Sequence, residues 1–404
     1  MTLEFRATRP EERRAAAEAM VAALMTPPPT DEQWERGAPS WEEMTSYSAW
    51  DGDRCVGHVG QFVVDTIVPG GARLTTGAVS RVGVLGTHRR RGVASTLMRE
   101  LITDSDRNGY PLMSLRASEA TIYERFGFGL AGEFAAVTID PRRVSPIRGA
   151  DPGGSFRMLR RSEILDVVSE LYEHVGLGRV GAITRTPSFT TRYFRDATEG
   201  TKAAFVVVHT DDDGVDDGYV HYDTSWNEDH ADGPQGRGEV HDLFGTTPAV
   251  ELALWQYVCD VDLVTSWRAD ERPVDDILRW AARDPRAYRV RGVDDEQWVR
   301  LVDVETALSS RTYGPATGTV RIAVTDPLVP RNDGTWEISA DGARRTEGAP
   351  DIRTDIAGIS AAYLGGTSWH TIAATGRATG DACAIVIADT LFAVTPLPFC
   401  GSFF

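Results

Sequence analysis

Three arginines in a row, Arg89, Arg90 and Arg91, are followed by Gly92, Val93 and Ala94. The run fits the pattern Arg/Gln-x-x-Gly-x-Gly/Ala. Small residues let a backbone approach a ligand closely, and a helix that opens here points its unpaired N–H groups outward. With arginines beside them, such groups make a cradle for a pyrophosphate. A solvated basic turn that merely opens a helix looks the same over six residues, because short motifs recur by chance. Context favours the cradle. The apolar run Val79–Leu85 leads into the loop as a strand. Val93–Arg107 then has helical spacing, and Leu112–Ala117 reads as the next strand. A short helix is expected over Ala120–Phe126, with Gly127 placed to cap its C-terminus.

Other groups carry weaker signals. Tyr123, with a reference pKa near ~10, can donate a proton and stays protonated at neutral pH; taken alone it reads more readily as a core tyrosine on an amphipathic turn, and the basic loop with Gly127-Phe128 reverses that. Asp211-Asp-Asp-Gly214 with Asp216 and Asp217 hints at calcium, but the spacing misses an EF-hand loop and suits a solvated hairpin turn. His209, His221, His230 and His241 form no HExxH pattern, so no metal is expected. Cys55, Cys259, Cys383 and Cys400 include no CxxC pair, which argues against a disulfide framework or a cysteine-ligated zinc and fits a reducing cytoplasm. Cys400 has no identifiable partner histidine and reads as a small buried group.

These residues need a scaffold. At about 150 residues per domain, 404 residues suggest two or three domains. The charge balance, 42 − 59 = −17, is unsuited to nucleic acid or an anionic membrane surface and suited to cationic partners. The first ten residues are too charged for a signal peptide, and no run is long and apolar enough to span a membrane. Glu11–Leu24 has helical spacing, Trp50–Val64 reads as a hairpin turning at Asp51-Gly52, and Leu74–Leu85 as a strand. Arg142–Gly154, rich in proline and glycine, is expected to be a linker. A helix follows over Ser162–His174 with Ser162 as N-cap. Phe205–Thr210 and Gly218–Asp223 read as a strand pair, and Glu239–Phe244 as a further strand. Gly245-Thr-Thr-Pro248 then opens a helix over Ala249–Val258. This strand–loop–helix order repeats that of Val82–Arg107 without a basic residue, so it looks like a degenerate copy. From Tyr288 onward, a helix is expected over Trp298–Ser310 and strands over Thr319–Thr325, Thr335–Ala340 and Ala382–Ala388. The tail Pro396–Phe404 is apolar to its last residue and is expected to be buried. The expected domains are 1–145, 146–287 and 288–404.

The strand, the RRRGVA loop, the helix, the next strand and Tyr123-Glu-Arg-Phe-Gly-Phe128 together resemble the acetyl-CoA-binding core of the GCN5-related N-acetyltransferases (GNAT). Nearly the whole chain resembles the Eis-type (enhanced intracellular survival) acetyltransferases of actinobacteria. That wider likeness rests on Thr87–Gly92, on Ala117-Ser-Glu119 with Ile122-Tyr123, and on Asp242-Leu-Phe-Gly-Thr-Thr-Pro248. It also rests on Asp326–Gly334, on Tyr363-Leu-Gly-Gly-Thr367 and on the C-terminal Phe404.

The resemblance implies an α/β and α+β fold: two tandem GNAT-like domains, the second degenerate, then a sterol-carrier-protein-like α+β domain. It implies acetyl-CoA as co-substrate. The backbone of Val82, Gly83 and Val84 would bond the pantetheine arm. Arg90, Arg91, Gly92, Val93, Ala94 and Ser95 would hold the pyrophosphate. Ser118 and Glu119 would line the thioester end. Tyr123 matches the usual general acid, and the main-chain carboxylate of Phe404 would act as base. The implied acceptor is a small-molecule or peptide amine, such as an aminoglycoside, a polyamine or a lysine side chain, and the implied assembly is a homohexamer. Phe403 stands where an acidic residue can occur in relatives. A reading of another class is a lipid or apolar-ligand carrier using the C-terminal domain; the RRRGVA loop favours the enzyme.

Overall fold

The computed structural model describes residues 3–226 and 235–404; His230 lies outside them. The chain forms two compact units. The first comprises Met1–Gly132, Glu296–Thr395 and Phe403–Phe404, and the second Glu133–Asp295 and Pro396–Ser402.

The first unit begins with strand β1 (Glu4–Ala7), helix α1 (Arg13–Ala23) and strands β2 (Met44–Asp51), β3 (Arg54–Ile67) and β4 (Arg73–Val84). Helix α2 (Val93–Arg107) then crosses to strand β5 (Leu112–Leu115). β1 to β4 are antiparallel neighbours, whereas β4 and β5 are parallel, as a helical crossover requires. Val93, Leu97, Met98, Leu101 and Ile102 recur along one face of α2, and all are buried. They pack on Val56, Val59, Val79, Met113 and Leu115 of the sheet. Each such burial contributes about 1.5–3 kcal/mol before conformational entropy is counted.

The second unit contains strands β6 (Gly129–Ile139) and β7 (Ser155–Met158), helix α3 (Ile164–Val175), strands β8 (Ala203–Thr210), β9 (Asp216–Ser225) and β10 (Gly236–Gly245), helix α4 (Pro248–Cys259) and strand β11 (Val264–Pro273). Its sheet order is β6-β11-β10-β9-β8-β7, with β10 and β11 parallel. Strand–helix–parallel strand therefore occurs once in each unit.

Strand β12 (Tyr288–Leu301) ends by pairing Trp298–Leu301 antiparallel with Leu115–Leu112, closing the first unit's sheet. Helix α5 (Val304–Ser310) follows. Strands β13 (Val320–Thr325), β14 (Gly334–Ser339), β15 (Gly342–Thr346), β16 (Ile352–Asp355) and β17 (Ala378–Gly380) make a separate sheet of order β15-β14-β13-β16-β17. Helices α6 (Ile356–Tyr363) and α7 (Ala382–Phe392) accompany it. Its interior is filled by the fully buried side chains of Trp336, Tyr363, Trp369 and Phe392.

Several expectations fail for identifiable reasons. Trp298–Leu301 is strand, and the helix begins only at Val304, where Asp303 accepts from Thr306 N. Ala382–Phe392 is a helix, because Asp381 caps Cys383 N and Ala384 N and the unbroken apolar run fits either period. Pro141–Val144 is a helical turn within the second unit's core, with Val144 and Ile147 buried, so Arg142–Gly154 is not a free linker. Helix α3 starts after Glu163, and Ser162 does not cap it. Ala120–Phe126 is two successive 3₁₀ turns. In the tail, Phe399, Cys400 and Ser402 are buried, but Phe403 is 57% exposed.

Candidate active site

The parallel pairing of β4 with β5 runs only from Thr76–Leu112 to Val79–Leu115. β4 continues to Val84 beyond its last pairing with β5, so its β5-side edge there is left without a strand partner. A bulge sits at the same place. Gly60 pairs with Ser80 and His58 with Gly83, leaving one extra residue on β4, and Arg81 takes a left-handed φ of 57°. The bulge is locked from both sides. His58 Nδ1 donates to the Arg81 carbonyl (2.9 Å). The Arg81 guanidinium lies over Trp41 (4.3 Å) and donates to Ser40 Oγ (2.5 Å). Gly83 is required by packing, since a Cβ there would stand 3.0 Å from Met20 Cα of α1. Val82, Gly83 and Val84 thus end a strand whose free edge can bond an extended amide-bearing ligand.

The loop beyond β4 turns through two left-handed residues, Arg90 (φ 60°) and Gly92 (φ 80°). Gly92 is the N-cap of α2, and no side chain caps the helix. The N–H groups of Val93, Ala94 and Ser95 therefore have no intrahelical acceptor, and the helix dipole adds partial positive charge. Arg90 and Arg91 are exposed, whereas Arg89 turns back to the Ala23 carbonyl (3.3 Å). Free amides, a left-handed pair and two exposed guanidiniums make an anion site suited to a pyrophosphate.

Tyr123 sits where the two 3₁₀ turns meet. It is 3% exposed and packs edge-on to Phe128 (6.2 Å). Burial pushes its hydroxyl up to about 12, partly offset by a hydrogen bond with the Ser118 side chain. Ser118 and Glu119 are exposed, just beyond β5. Two arginines hold the turn. Arg300 Nη1 donates to the Phe126 carbonyl (2.7 Å), and its Nη2 donates to both carboxylate oxygens of Asp326 (3.0 and 2.8 Å). Gly127 has no alternative, because a Cβ there would lie 1.8 Å from Arg300 Nη1. Arg377 pairs with Glu124 (2.7 Å). Asp326 also accepts from Leu328 N, Val329 N and Asn332 Nδ2. The segment Asp326–Gly334 therefore supports the tyrosine turn through Arg300.

The chain end reaches the same edge. The Phe403 ring lies under the Arg116 guanidinium (4.8 Å), one residue past β5, and Phe404 is half-buried. The end of β4, the start of α2, the Ser118–Tyr123 segment and the C-terminus thus converge at the carboxyl end of the β4–β5 pair. This is where open α/β sheets bind ligands.

The second unit keeps the layout and loses the site. β10 pairs with β11 only through Glu239–Arg268 and then runs on to Gly245. Its helix α4, however, starts at Pro248, which has no N–H, and Thr247 Oγ1 accepts from Val250 N (3.3 Å). Glu251 adds an acidic group in the first turn, and Arg272 Nη1 donates to the Leu243 carbonyl (3.2 Å). At the start of α4, Pro248 lacks a donor and Val250 N is already capped, so this end offers fewer open donors than α2.

Two arrangements were not legible in sequence: the Arg81 bulge and the Arg300–Phe126 bond.

A model described as an acetyltransferase (GNAT) domain matches residues 4–131, and another so described matches residues 181–301. A sterol carrier protein domain model matches residues 304–401. A Streptomyces avermitilis protein described as an uncharacterized N-acetyltransferase is 34% identical over 350 residues, 83% of this chain and 84% of that one. N-acetyltransferase Eis of Mycobacterium tuberculosis is 29% identical over 322 residues, 77% of this chain and 76% of its own. The crystal structure of Eis1 from Mycobacterium abscessus matches with a TM-score of 0.89 and 32% identity over 100% of both chains. A GCN5-related N-acetyltransferase from Anabaena variabilis shares the fold at a TM-score of 0.85 and 17% identity, over 100% of both chains. Two GNAT domains, a sterol-carrier-like domain and these relatives agree: the chain belongs to the Eis-type N-acetyltransferases of the GNAT superfamily.

Proposed function

We propose that the protein transfers the acetyl group of acetyl-CoA directly to a primary amine in a ternary complex, with the three segments 1–145, 146–287 and 288–404 as its functional domains. The observation that carries this reading is the uncapped start of α2 beside the free edge of β4. Val82–Val84 would bond the pantetheine arm, and Arg90–Ser95 the pyrophosphate. The amine nitrogen attacks the thioester carbonyl. A C–N bond forms, the C–S bond breaks, and the amine proton leaves. Holding both reactants together supplies much of the acceleration. Tyr123, buried and kept protonated, donates to the departing thiolate. The Phe404 carboxylate takes the amine proton. Phe403, over Arg116, brings no negative charge to that place, so the acceptor site is less anionic than one with an acidic residue there. The acceptors in this reading are aminoglycosides, polyamines or lysine side chains. A cytoplasmic homohexamer completes it, supported by the family likeness.

The test is a thiol-release assay with acetyl-CoA against aminoglycosides, polyamines and lysine peptides, with mass spectrometry of the products. Amine-dependent thiol release and an acetylated amine are expected. No release with any of the three classes, at saturating acetyl-CoA, would overturn the reading.

A further inference from the structure

Residues 86–92 join β4 to α2, and of these His88 alone is buried; its neighbours in the loop are exposed. It ends a 3₁₀ turn over Gly86–His88, where its N–H donates to the Leu85 carbonyl (2.8 Å). A loop that hangs on one side chain would gain most from an apolar one. Here the anchor is polar. His88 Nε2 stands 3.3 Å from Asp51 Oδ2, and Nδ1 stands 2.9 Å from Thr87 Oγ1. A carboxylate only accepts, so Nε2 is the donor in the bond to Asp51. Asp51 is the last residue of β2, at the hairpin turn into β3. Its other oxygen, Oδ1, is shielded from solvent and has no hydrogen-bond partner among the described residues. Enclosing a carboxylate oxygen without a donor costs stability. The acid at this turn is better explained by what it holds than by any stability it adds.

What it holds is the approach to the basic loop. Two residues after His88, Arg90 takes a left-handed φ of 60°, which is unfavourable for a residue with a Cβ. Such a conformation persists where the surroundings fix it, and it recurs at ligand clamps. On the far side, the loop is fixed by Val93, 2% exposed and packed in the core. On the near side it is fixed by His88, with Arg89 donating to the Ala23 carbonyl (3.3 Å) at the exposed surface. His88, Asp51 and the loop all belong to the first unit.

We propose that His88, tethered to Asp51, is a positioning residue for the pyrophosphate of acetyl-CoA. The tether sets the left-handed turn at Arg90, and with it the amides and guanidiniums of the loop, before the cofactor arrives. The inference rests on the reading of Arg90–Ser95 as the pyrophosphate loop. A loop already in its bound shape removes an ordering cost from binding. Fixing one backbone residue corresponds to roughly a factor of ten in an equilibrium constant.

Calorimetry compares acetyl-CoA binding by wild type, His88→Ala, Asp51→Ala and the double variant. Asp51→Ala, at a half-buried turn position, keeps the test open should His88→Ala fail to fold. Each single variant is expected to weaken binding about tenfold, and the double variant no further, as for two ends of one contact. With an amine acceptor, the KM for acetyl-CoA should rise while kcat stays at the wild-type level. With acetyl-pantetheine as donor, which has no pyrophosphate, kcat/KM should not change. Folded single variants that bind acetyl-CoA like wild type overturn the positioning role. So do losses that add in the double variant, or an equal loss with acetyl-pantetheine. Arg90→Ala with Arg91→Ala separates the two readings. Weakened binding there, with wild-type binding in the His88 and Asp51 variants, overturns the tether alone; wild-type binding in all of them overturns the pyrophosphate loop as well.

Discussion

Arg300 Nη1 lies 2.7 Å from the Phe126 carbonyl, 174 residues earlier in the chain, and holds the turn that carries Tyr123. The guanidinium is fully buried and paired with the Asp326 carboxylate. Burial lowers its pKa, partly offset by Asp326. Arg300→Met leaves Asp326 charged and unpaired in the interior. A loss of about 3–5 kcal/mol is expected, read from denaturant unfolding. Loss below about 1 kcal/mol would show that the pair is not what fixes the turn.

Cofactor stoichiometry follows from the two helix starts. α2 offers free amides, and α4 offers a proline, a capped amide and a glutamate. Calorimetry should find one acetyl-CoA site per chain. Arg90→Ala together with Arg91→Ala should weaken binding about 10- to 100-fold at low salt and less at high salt. Gly92→Ala, at φ 80°, should cost about 1–2 kcal/mol of the same binding or of stability. Two sites per chain would contradict the assignment.

Tyr123→Phe should leave acetyl-CoA affinity unchanged and lower kcat by about 10²–10⁴. A general acid must be protonated to act. With its pKa pushed up to about 12, Tyr123 stays protonated through the whole assay range. Any alkaline loss of activity below about pH 10 should therefore persist in Tyr123→Phe. A limb that vanishes in the variant would mean that the hydroxyl titrates lower.

If the Phe404 carboxylate is the base, as proposed, its position matters more than its side chain. One residue added after Phe404 moves the carboxylate by up to about 3.5 Å. Such a displacement is expected to cost about 10²-fold or more in turnover. Amidation of the terminus removes the charge at nearly constant shape and should do the same. Both proteins should still bind acetyl-CoA. Wild-type turnover from either would return the terminus to an inert end.

His58 sets a pH dependence of stability. It is fully buried, and burial depresses its pKa from 6.5 to about 4. Between those values the unfolded chain binds a proton that the folded chain does not. Its contribution to stability is therefore present above pH 6.5 and lost as pH falls toward 4, by about 3 kcal/mol in all. Unfolding free energies from pH 7 to 4 should show this slope, and His58→Gln should flatten it. An unchanged slope would place the titration elsewhere.

Local order in the sequence was enough for the central βαβ unit of the first domain. The period of α2, the left-handed Gly92 and the strand runs are short-range properties, and the Arg89–Ala94 loop lies between β4 and α2 as they imply. The degenerate copy was legible for the same reason: Pro248 and the missing basic residues act within one turn. Segments with two compatible local states were not legible. Ala382–Phe392 is apolar throughout and becomes a helix because Asp381 caps it. Trp298–Leu301 becomes strand because Leu112–Leu115 offers an edge. The bulge at Arg81, the bond from Arg300 to Phe126 and the hydrogen bonds of Arg185 to Gly401 and Ser402 all join residues far apart in the chain. Each is decided by which backbone groups burial leaves without a partner, and that exists only once the tertiary structure has formed.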